Sequence, residues 1–410
     1  MATSHTSNAI RVVWICHFTD LAIQKHLKPH RSVKEYAPWI INTLNKLDYP
    51  GKIEIHVIAP HQYIPWTRKF KVGNIRYFFY NPGIPLWGRH WPNFFRWDMF
   101  TNYAHHKRIV NRIVESINPD IIHLQGAENP YYSSTILQFI TRYPVVINLQ
   151  RMSLDFFFGN SKFGLRRALI ENEILTRFSY FSVRTLQMQR DLLSINKVAK
   201  TYWVEYALPE TKPQTSEKKY DIVFFAWISK DKGIEDLIHA LPKVKQAIPQ
   251  VTLCIMGGDP CPYTKFLQEM AESLDVDDRI VWMGRLSTQA EVHKLVSMAR
   301  VCVLPTHYDT IPGTILESMQ LGLPVVSYIA GSISELNSER ENVLLVKIGD
   351  IQGLADNIIK LLTDKECYSV MSKRGIDLVE EMFGNANFLE QHLDCYNQVI
   401  EDFHKGSFVI

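Results

Sequence analysis

The most constraining feature of the sequence is a stretch in which a polar loop and a helical segment separate two short apolar runs. It spans residues 301–335 and reads VCVLPTHYDTIPGTILESMQLGLPVVSYIAGSISE. The runs VCVLP and PVVSYIA are typical of buried parallel strands. The segment TILESMQL has a helical pattern that ends at Gly322, with Pro324 just beyond. This strand–loop–helix–strand order predicts half of a doubly wound α/β sheet.

The loop in this unit is the predicted ligand site. Ligands on doubly wound sheets bind at the carboxyl ends of the strands and against helix N-termini, so we expect an anion, most simply a phosphate, at residues 306–314. Asp309 in the loop and Glu317 in the predicted first helical turn bracket this position. Thr314 and Glu317 have the spacing of a capping box, which would make Glu317 structural. The local pattern leaves capping and ligand binding open.

The stretch also resembles the nucleotide-sugar site of GT-B glycosyltransferases, in particular the retaining family 4, the group 1 glycosyltransferases. Members carry two Glu separated by seven residues, a helix with the pattern E-A-M-A-x-G-x-P-V-V, a Gly-rich turn and a further Glu. The matching residues here are Asp309, Glu317, Ser318, Met319, Gln320, Leu321, Gly322, Pro324, Val325, Val326, Gly331 and Glu335. The resemblance implies that Glu317 holds the donor ribose and that Asp309, which replaces a Glu, lies near the donor sugar. It also implies that backbone N–H groups at Gly313, Thr314 and Ile315 hold the diphosphate.

A second part of the resemblance lies upstream, in the segment YDIVFFAWISKDKG at residues 220–233. The family pattern there is a strand followed by G-R-L-x-x-x-K-G, in which Arg and Lys neutralise the donor diphosphate. Lys232 and Gly233 match the final pair, whereas Trp227 stands at the Arg position. Lys230 is the candidate replacement for the missing charge. Further candidate donor contacts are the turn glycines Gly257 and Gly258, and Gly284 with Arg285.

The N-terminal half resembles the family more loosely. A Gly-rich turn often follows the first strand in the family, but the sequence here continues TDLAIQKHL without glycine. A later strand of the family ends in a His that faces the donor sugar, and the aligned residues here include Gln150. A glutamine can hydrogen-bond a sugar hydroxyl but cannot accept a proton at neutral pH. Gln150 is therefore a candidate donor contact, and its chemistry argues against a role as general base.

The length of the chain predicts two domains, because 410 residues exceed what one core usually holds. The predicted fold class is α/β, a GT-B arrangement of two facing Rossmann-like domains with a cleft between them. We expect an acceptor-binding domain at residues 9–210, a linker at 211–219 and a donor domain at 220–387. Residues 388–410 should form a helix that crosses back to the first domain.

Residues 63–103 mix aromatic and basic side chains densely. One interpretation is a lid or helical insert whose rings pack inward. The other is an acceptor groove or membrane-facing surface, since Trp and Tyr favour lipid headgroups and Lys and Arg meet anionic lipids. The residues concerned are Trp66, Tyr77, Phe78, Phe79, Trp87, Trp91, Phe94, Phe95, Trp97, Lys69, Lys71, Arg76, Arg89 and Arg96.

Together these features predict transfer of a hexosyl group from a UDP- or GDP-sugar to a hydroxyl acceptor, with the retention that the resemblance implies. The acceptor would be a sugar, a glycolipid or a lipid-linked saccharide in cell-surface polysaccharide or glycolipid synthesis. The two alternatives are a GT-B-like nucleotide-sugar epimerase and a non-catalytic sugar-nucleotide binding subunit.

The remaining features restrict partners and compartment. The net charge of +3 does not by itself indicate a nucleic-acid partner. The six cysteines are scattered, which argues against a zinc site or disulfide framework and favours a reducing cytoplasm. We expect no metal cofactor, and a cytoplasmic location that includes the inner face of the membrane.

Overall fold

The computed structural model describes residues 9–31, 33–83, 97–152, 162–211, 217–384 and 387–406. Contacts divide the chain into two compact units. Unit 1 comprises Met1–Ala207 with Asn387–Ile410, and unit 2 comprises Leu208–Ala386. The sequence placed the first boundary slightly later, at the polar segment 211–219.

Unit 1 is built on one large sheet. Its strands are β1 (Ile10–Ile15), β2 (Ile53–Pro60), β3 (Arg68–Val72), β4 (Ile75–Tyr80), β5 (Ile121–Gln125), β6 (Val145–Asn148), β7 (Tyr180–Val183) and β8 (Lys200–Trp203). Their order in the sheet is β3-β4-β2-β1-β5-β6-β7-β8. All neighbouring pairs are parallel except β3 and β4, which form an antiparallel hairpin.

Helices connect the parallel strands of unit 1, except that β2 and β4 are connected through β3. They are α1 (Leu21–Leu27), α2 (Pro38–Leu47), α3 (Trp97–Phe100), α4 (Ala104–Ile117), α5 (Pro130–Ser133), α6 (Lys162–Arg177) and α7 (Leu186–Ile195). Helix α1 occupies the position after β1 where the sequence lacks a Gly-rich turn. Its N-cap is Asp20, whose carboxylate accepts a 2.8 Å hydrogen bond from the Ile23 N–H group.

Unit 2 is built on a smaller sheet that is parallel throughout. Its strands are β9 (Tyr220–Phe225), β10 (Leu253–Met256), β11 (Ile280–Gly284), β12 (Ala299–Leu304), β13 (Val325–Tyr328) and β14 (Leu344–Val346). Their order is β11-β10-β9-β12-β13-β14. Its helices are α8 (Ile234–Ala247), α9 (Pro262–Ser273), α10 (Gln289–Val296), α11 (Gly313–Gln320), α12 (Ile351–Thr363) and α13 (Lys365–Val379). All parallel strands end on the same side of the sheet, which we call its carboxyl edge.

The last helix, α14 (Phe388–Gly406), belongs to unit 1 and is joined to the sheet by a buried hydrogen-bond network. The Tyr396 hydroxyl accepts a 3.0 Å hydrogen bond from the Trp14 indole N–H and lies 2.8 Å from His123 Nδ1. One turn earlier, His392 Nδ1 donates to the Phe388 carbonyl at 2.7 Å. Both histidines are buried. Burial lowers the pKa of each imidazole, so both side chains are uncharged at neutral pH.

The aromatic and basic stretch is partly a strand hairpin. Tyr77, Phe78 and Phe79 lie in β4 and are buried, because β2 and β3 flank this strand. The interpretation of these three rings as an exposed groove is therefore wrong. Trp66 is 61% exposed, and Lys69 and Lys71 are exposed on β3. Trp87, Trp91, Phe94, Phe95, Arg89 and Arg96 lie outside the described residues, as does the side chain of Trp97.

Among the helices that the structure describes, none combines the length and apolar character needed to cross a membrane.

The buried histidines predict that unit 1 loses stability in acid. Burial lowers the pKa of His392 from 6.5 to about 4, and it lowers the pKa of His123 well below the ordinary value. Between pH 6.5 and about 4 the folded protein therefore binds fewer protons than the unfolded chain does. The free energy of unfolding then falls as the pH drops through this range. His392 alone should account for a loss of about 3 kcal/mol at its folded pKa.

Urea unfolding across this pH range tests the prediction. His392→Asn should flatten the pH dependence of the unfolding free energy, whatever its effect on stability at neutral pH. His404→Asn is the matched control, because His404 is exposed on the same helix. Equal pH dependence in wild type and His392→Asn would contradict the assignment.

Candidate functional site

The candidate site is built where the loops after β9 and β12 meet at the carboxyl edge of unit 2. The Asp231 carbonyl accepts hydrogen bonds from the His307 N–H at 2.8 Å and from the buried Thr306 hydroxyl at 3.1 Å. Gly233 has a left-handed backbone with φ of 71°, and a Cβ there would overlap the Pro305 carbonyl. Only glycine allows this approach. The two loops are therefore held together mainly through the backbone.

This loop contact brings together two of the predicted site residues that are far apart in the sequence. The Lys232 ammonium and the Asp309 carboxylate form an ion pair, and each side chain is only about one-fifth exposed. The second oxygen of Asp309 accepts a 3.0 Å hydrogen bond from the Thr310 N–H. Lys232 has three donors, so its pairing with Asp309 leaves it able to bind a further acceptor.

The start of α11 lies beside the ion pair and is not capped as the sequence suggested. The helix begins at Gly313 with Pro312 as N-cap, and among the described residues no side chain caps it. The Thr314 hydroxyl instead donates to the Phe225 carbonyl at 3.0 Å, which joins α11 to the end of β9. The capping-box interpretation of Thr314 and Glu317 is wrong, because Glu317 lies beyond the first turn. The N–H groups of this turn face a region where the helix dipole favours an anion.

Glu317 is held by helix α10. One carboxylate oxygen lies 2.7 Å from His293 Nε2, and the other accepts a 3.1 Å hydrogen bond from Gln289 Nε2. The Glu317 side chain is 16% exposed, and His293 is buried. These contacts fix the direction of the carboxylate without using the N–H groups of α11. Ile315, also a predicted contact, has a buried side chain, and its N–H donates to the Pro312 carbonyl at 3.0 Å.

The predicted glycines lie at the ends of β10 and β11, on the side of β9 that faces away from β12. A Cβ at Gly257 would overlap the Ala226 carbonyl, and one at Gly258 would press against the Ile228 side chain. Gly284 ends β11 with φ of 65°, and its carbonyl accepts a 3.1 Å hydrogen bond from the Gly257 N–H. A cavity of about 390 Å³ opens next to Gly258 and Gly284. Its other lining residues are Ile228, Ile255, Pro260, Cys261, Thr264, Lys265, Gln268, Trp282 and Met283.

The remaining predicted residues lie in both units. Lys230 begins the 3₁₀ turn Lys230–Lys232, and its carbonyl accepts from the Gly233 N–H at 3.0 Å. Arg285 follows β11 directly, with its guanidinium carbon 5.7 Å from the Trp227 ring centre. Gln150 lies in unit 1, two residues beyond β6 and again at a carboxyl edge. Near it, the Asn148 amide donates to Gln125 Oε1 at 2.7 Å in the buried sheet.

Sequence reasoning missed the groups that support these residues. His293 holds Glu317 from 24 positions away, and no local spacing predicts such a contact. Asp236 similarly accepts a 3.0 Å hydrogen bond from the Tyr328 hydroxyl and lies 2.7 Å from His307 Nε2. Burial and the Asp236 charge raise the pKa of Tyr328, which keeps its hydroxyl protonated as a donor. The described residues contain no group of His, Cys, Asp and Glu side chains arranged to hold a metal ion.

A family model places the second unit among known proteins. Residues 210–377 match the model described as glycosyl transferases group 1. This stretch is therefore similar to the group 1 glycosyltransferases. The match falls within unit 2, and it confirms the resemblance found in the sequence.

Curated relatives match part of the chain. N-acetyl-alpha-D-glucosaminyl L-malate synthase of Bacillus anthracis is 25% identical over 57% of this chain and 56% of its own length. GDP-mannose-dependent alpha-(1-6)-phosphatidylinositol monomannoside mannosyltransferase of Mycobacterium tuberculosis is 25% identical over 36% of this chain and 40% of its own length. The chain spans about half the length of the curated relatives it matches.

Solved structures match nearly the whole chain. Sucrose-phosphate synthase from Thermosynechococcus elongatus superposes with a TM-score of 0.78 at 18% identity, covering 96% of this chain and all of that one. HepE from Anabaena in complex with UDP and glucose gives a TM-score of 0.65 at 17% identity, with 95% and 100% covered. The likeness confirms the predicted GT-B fold class.

The position of Asp309 should depend on Gly331. Gly331 has φ of 51°, and a Cβ there would overlap the Asp309 carbonyl. Gly331→Ala therefore combines backbone strain with a clash that displaces the Asp309 loop. Gly349→Ala is the matched control, because Gly349 has φ of 80° and no described atom within 4 Å of its Cβ position. The control should cost about 1–2 kcal/mol.

Thermal unfolding of the two variants measures the difference. Gly331→Ala should lower the melting temperature of unit 2 clearly more than Gly349→Ala does. Equal shifts would show that the turn at Gly331 relaxes without moving the loop, and the described contact would then not position Asp309.

Proposed function

We propose that this protein transfers a hexosyl group from a nucleotide-diphospho-sugar to a hydroxyl acceptor. The observation that carries the proposal is the Lys232–Asp309 ion pair beside the open N-terminus of α11. A cation and a helix N-terminus at the carboxyl edge of a parallel sheet support the proposal, because diphosphates bind at such positions. The group 1 match of the same unit supports this assignment.

Each predicted residue then has a physical task. Departure of the nucleoside diphosphate concentrates negative charge in the transition state, and Lys232 with the first N–H groups of α11 would stabilise that charge. Lys230 is a second candidate cation on the same turn. The Glu317 carboxylate, oriented by His293 and Gln289, would accept hydrogen bonds from the ribose hydroxyls. Asp309 would orient Lys232 and lie near the donor sugar.

The finer proposals concern nucleobase, stereochemistry and acceptor. We propose a UDP- or GDP-sugar donor and retention of the anomeric configuration. HepE was solved with UDP, and the mycobacterial relative is named as GDP-mannose-dependent, so both bases occur among similar proteins. The assignment of Gln150 as a donor-sugar contact stays a prediction. A lipid-linked acceptor at the inner membrane face is proposed from exposed Trp66, Lys69 and Lys71, a combination that suits a headgroup region.

A panel of nucleotide sugars tests the proposal. A ligand at about 100 times its Kd should add about 2.7 kcal/mol to the free energy of unfolding, so thermal shifts will identify the donor. Turnover then separates the possible activities. A transferase moves the sugar to an acceptor, an epimerase changes the free nucleotide sugar, and a binding subunit does neither. Absence of any shift across UDP- and GDP-sugars would contradict the proposal.

Replacement of Lys232 should affect catalysis more than donor affinity. Lys232→Ala is expected to lower kcat about 100-fold and to change KM much less, because diphosphate charge grows towards the transition state. The readout is the steady-state rate with the donor found in the panel.

Lys243→Ala is the control for this substitution. Lys243 pairs with Asp356 at 2.6 Å on the surface of unit 2, so its loss removes an equal charge and a similar ion pair away from the site. Unchanged kcat in Lys232→Ala would rule out its proposed role.

A further inference from the structure

Trp227 is the most unusual side chain at the carboxyl edge of unit 2. It follows β9 and is 62% exposed, although large aromatic side chains usually bury most of their surface. The Arg285 guanidinium lies over its ring, 5.7 Å from the ring centre. This separation is within the range of a cation–π contact. An exposed tryptophan whose ring contacts a guanidinium suggests that the ring positions the arginine side chain.

The pair spans the glycine turn described above. Trp227 follows β9 and Arg285 follows β11, while β10 lies between these two strands. The residues after β10 are Gly257 and Gly258, and the cavity described above is lined by Gly258 and Gly284. A ligand in this cavity would contact Gly284, the residue that precedes Arg285 in the chain. The stacked ring limits the directions in which that side chain extends.

The charges around the site show why a further cation matters. Lys232 is already paired with Asp309, and Asp236 and Glu317 add negative charge along the same edge. Their carboxylates lie 2.7 Å from His307 Nε2 and His293 Nε2, respectively. A bound diphosphate therefore needs positive charge beyond Lys232. Arginine suits this task, because its planar group can donate two parallel hydrogen bonds to phosphate oxygens.

We propose that Arg285 binds the donor diphosphate and that Trp227 is the residue that positions it. This inference rests on the proposed function, since it assigns two residues to the same donor site. Trp227 acts only through Arg285, so removing the ring should matter only while the guanidinium is present. A contact to the diphosphate should also be absent when the ligand is a nucleoside.

Isothermal titration with UDP, uridine, GDP and guanosine tests the proposal on the full chain. Arg285→Gln should weaken binding of the preferred nucleoside diphosphate about 10-fold, as expected for a charge-assisted hydrogen bond, and leave nucleoside binding unchanged. Arg285→Lys should recover only part of the loss. Trp227→Leu should cost about 2- to 5-fold, whereas Trp227→Phe should retain most of the affinity. These effects should shrink at high salt.

Two controls make the outcome decisive. Arg279→Gln removes the same charge from the turn before β11, at the opposite end of that strand, and should change neither affinity. In the Arg285→Gln background, Trp227→Leu should have no further effect on diphosphate binding.

The results separate the two proposals. Full diphosphate affinity in Arg285→Gln, or equal losses of affinity for nucleoside and nucleoside diphosphate, would overturn this inference. Neither result would contradict the proposed donor site. If the losses of diphosphate affinity add in the double variant, Trp227 does not act through Arg285 and its proposed positioning role is wrong. If wild type binds neither UDP nor GDP, the proposed function fails and the inference falls with it.

Discussion

The contact between the loops after β9 and β12 is the constraint on which the rest of the candidate site depends. It is made mainly by backbone groups, with the Asp231 carbonyl accepting from two donors of the second loop and Gly233 lying against Pro305. Because no flexible side chain sets the spacing at Gly233, the loops are held at a fixed separation. The Lys232–Asp309 pair and the start of α11 are positioned by that separation. Glu317 is fixed independently, through α10.

Most of the fold could be predicted from the sequence, because buried parallel strands appear as continuous apolar runs and helices alternate with them. The ends of elements were less predictable. The apolar run IRVVWICHF continues from Ile10 to Phe18, yet β1 ends at Ile15 while Phe18 stays buried. The buried residues here continue beyond those that pair as a strand. An apolar pattern indicates burial and does not show where strand pairing ends. The hairpin of β3 and β4 was missed because its Lys and aromatic residues suggested a surface lid.

The site was predictable where it depends on local sequence and unpredictable where it depends on packing. The order of strand, loop and helix placed Asp309 and Glu317 at a carboxyl edge, and the structure has both there. Capping by Thr314 was a reasonable local expectation, but its hydroxyl bonds to Phe225 instead, on a strand about 90 residues earlier. The contacts of His293 with Glu317 and of Arg285 with Trp227 also join distant segments. Such pairs arise only once the sheet order is known.

The central claim is that the carboxyl edge of unit 2 binds a nucleoside diphosphate. Hydrogen–deuterium exchange with and without saturating UDP or GDP tests it most directly, because bound phosphate protects the N–H groups that it contacts. The account predicts slower exchange in peptides that cover the turn Lys230–Lys232 and the start of α11 at Gly313, and little change in α12 and α13. Protection confined to other segments under saturating nucleotide would contradict it.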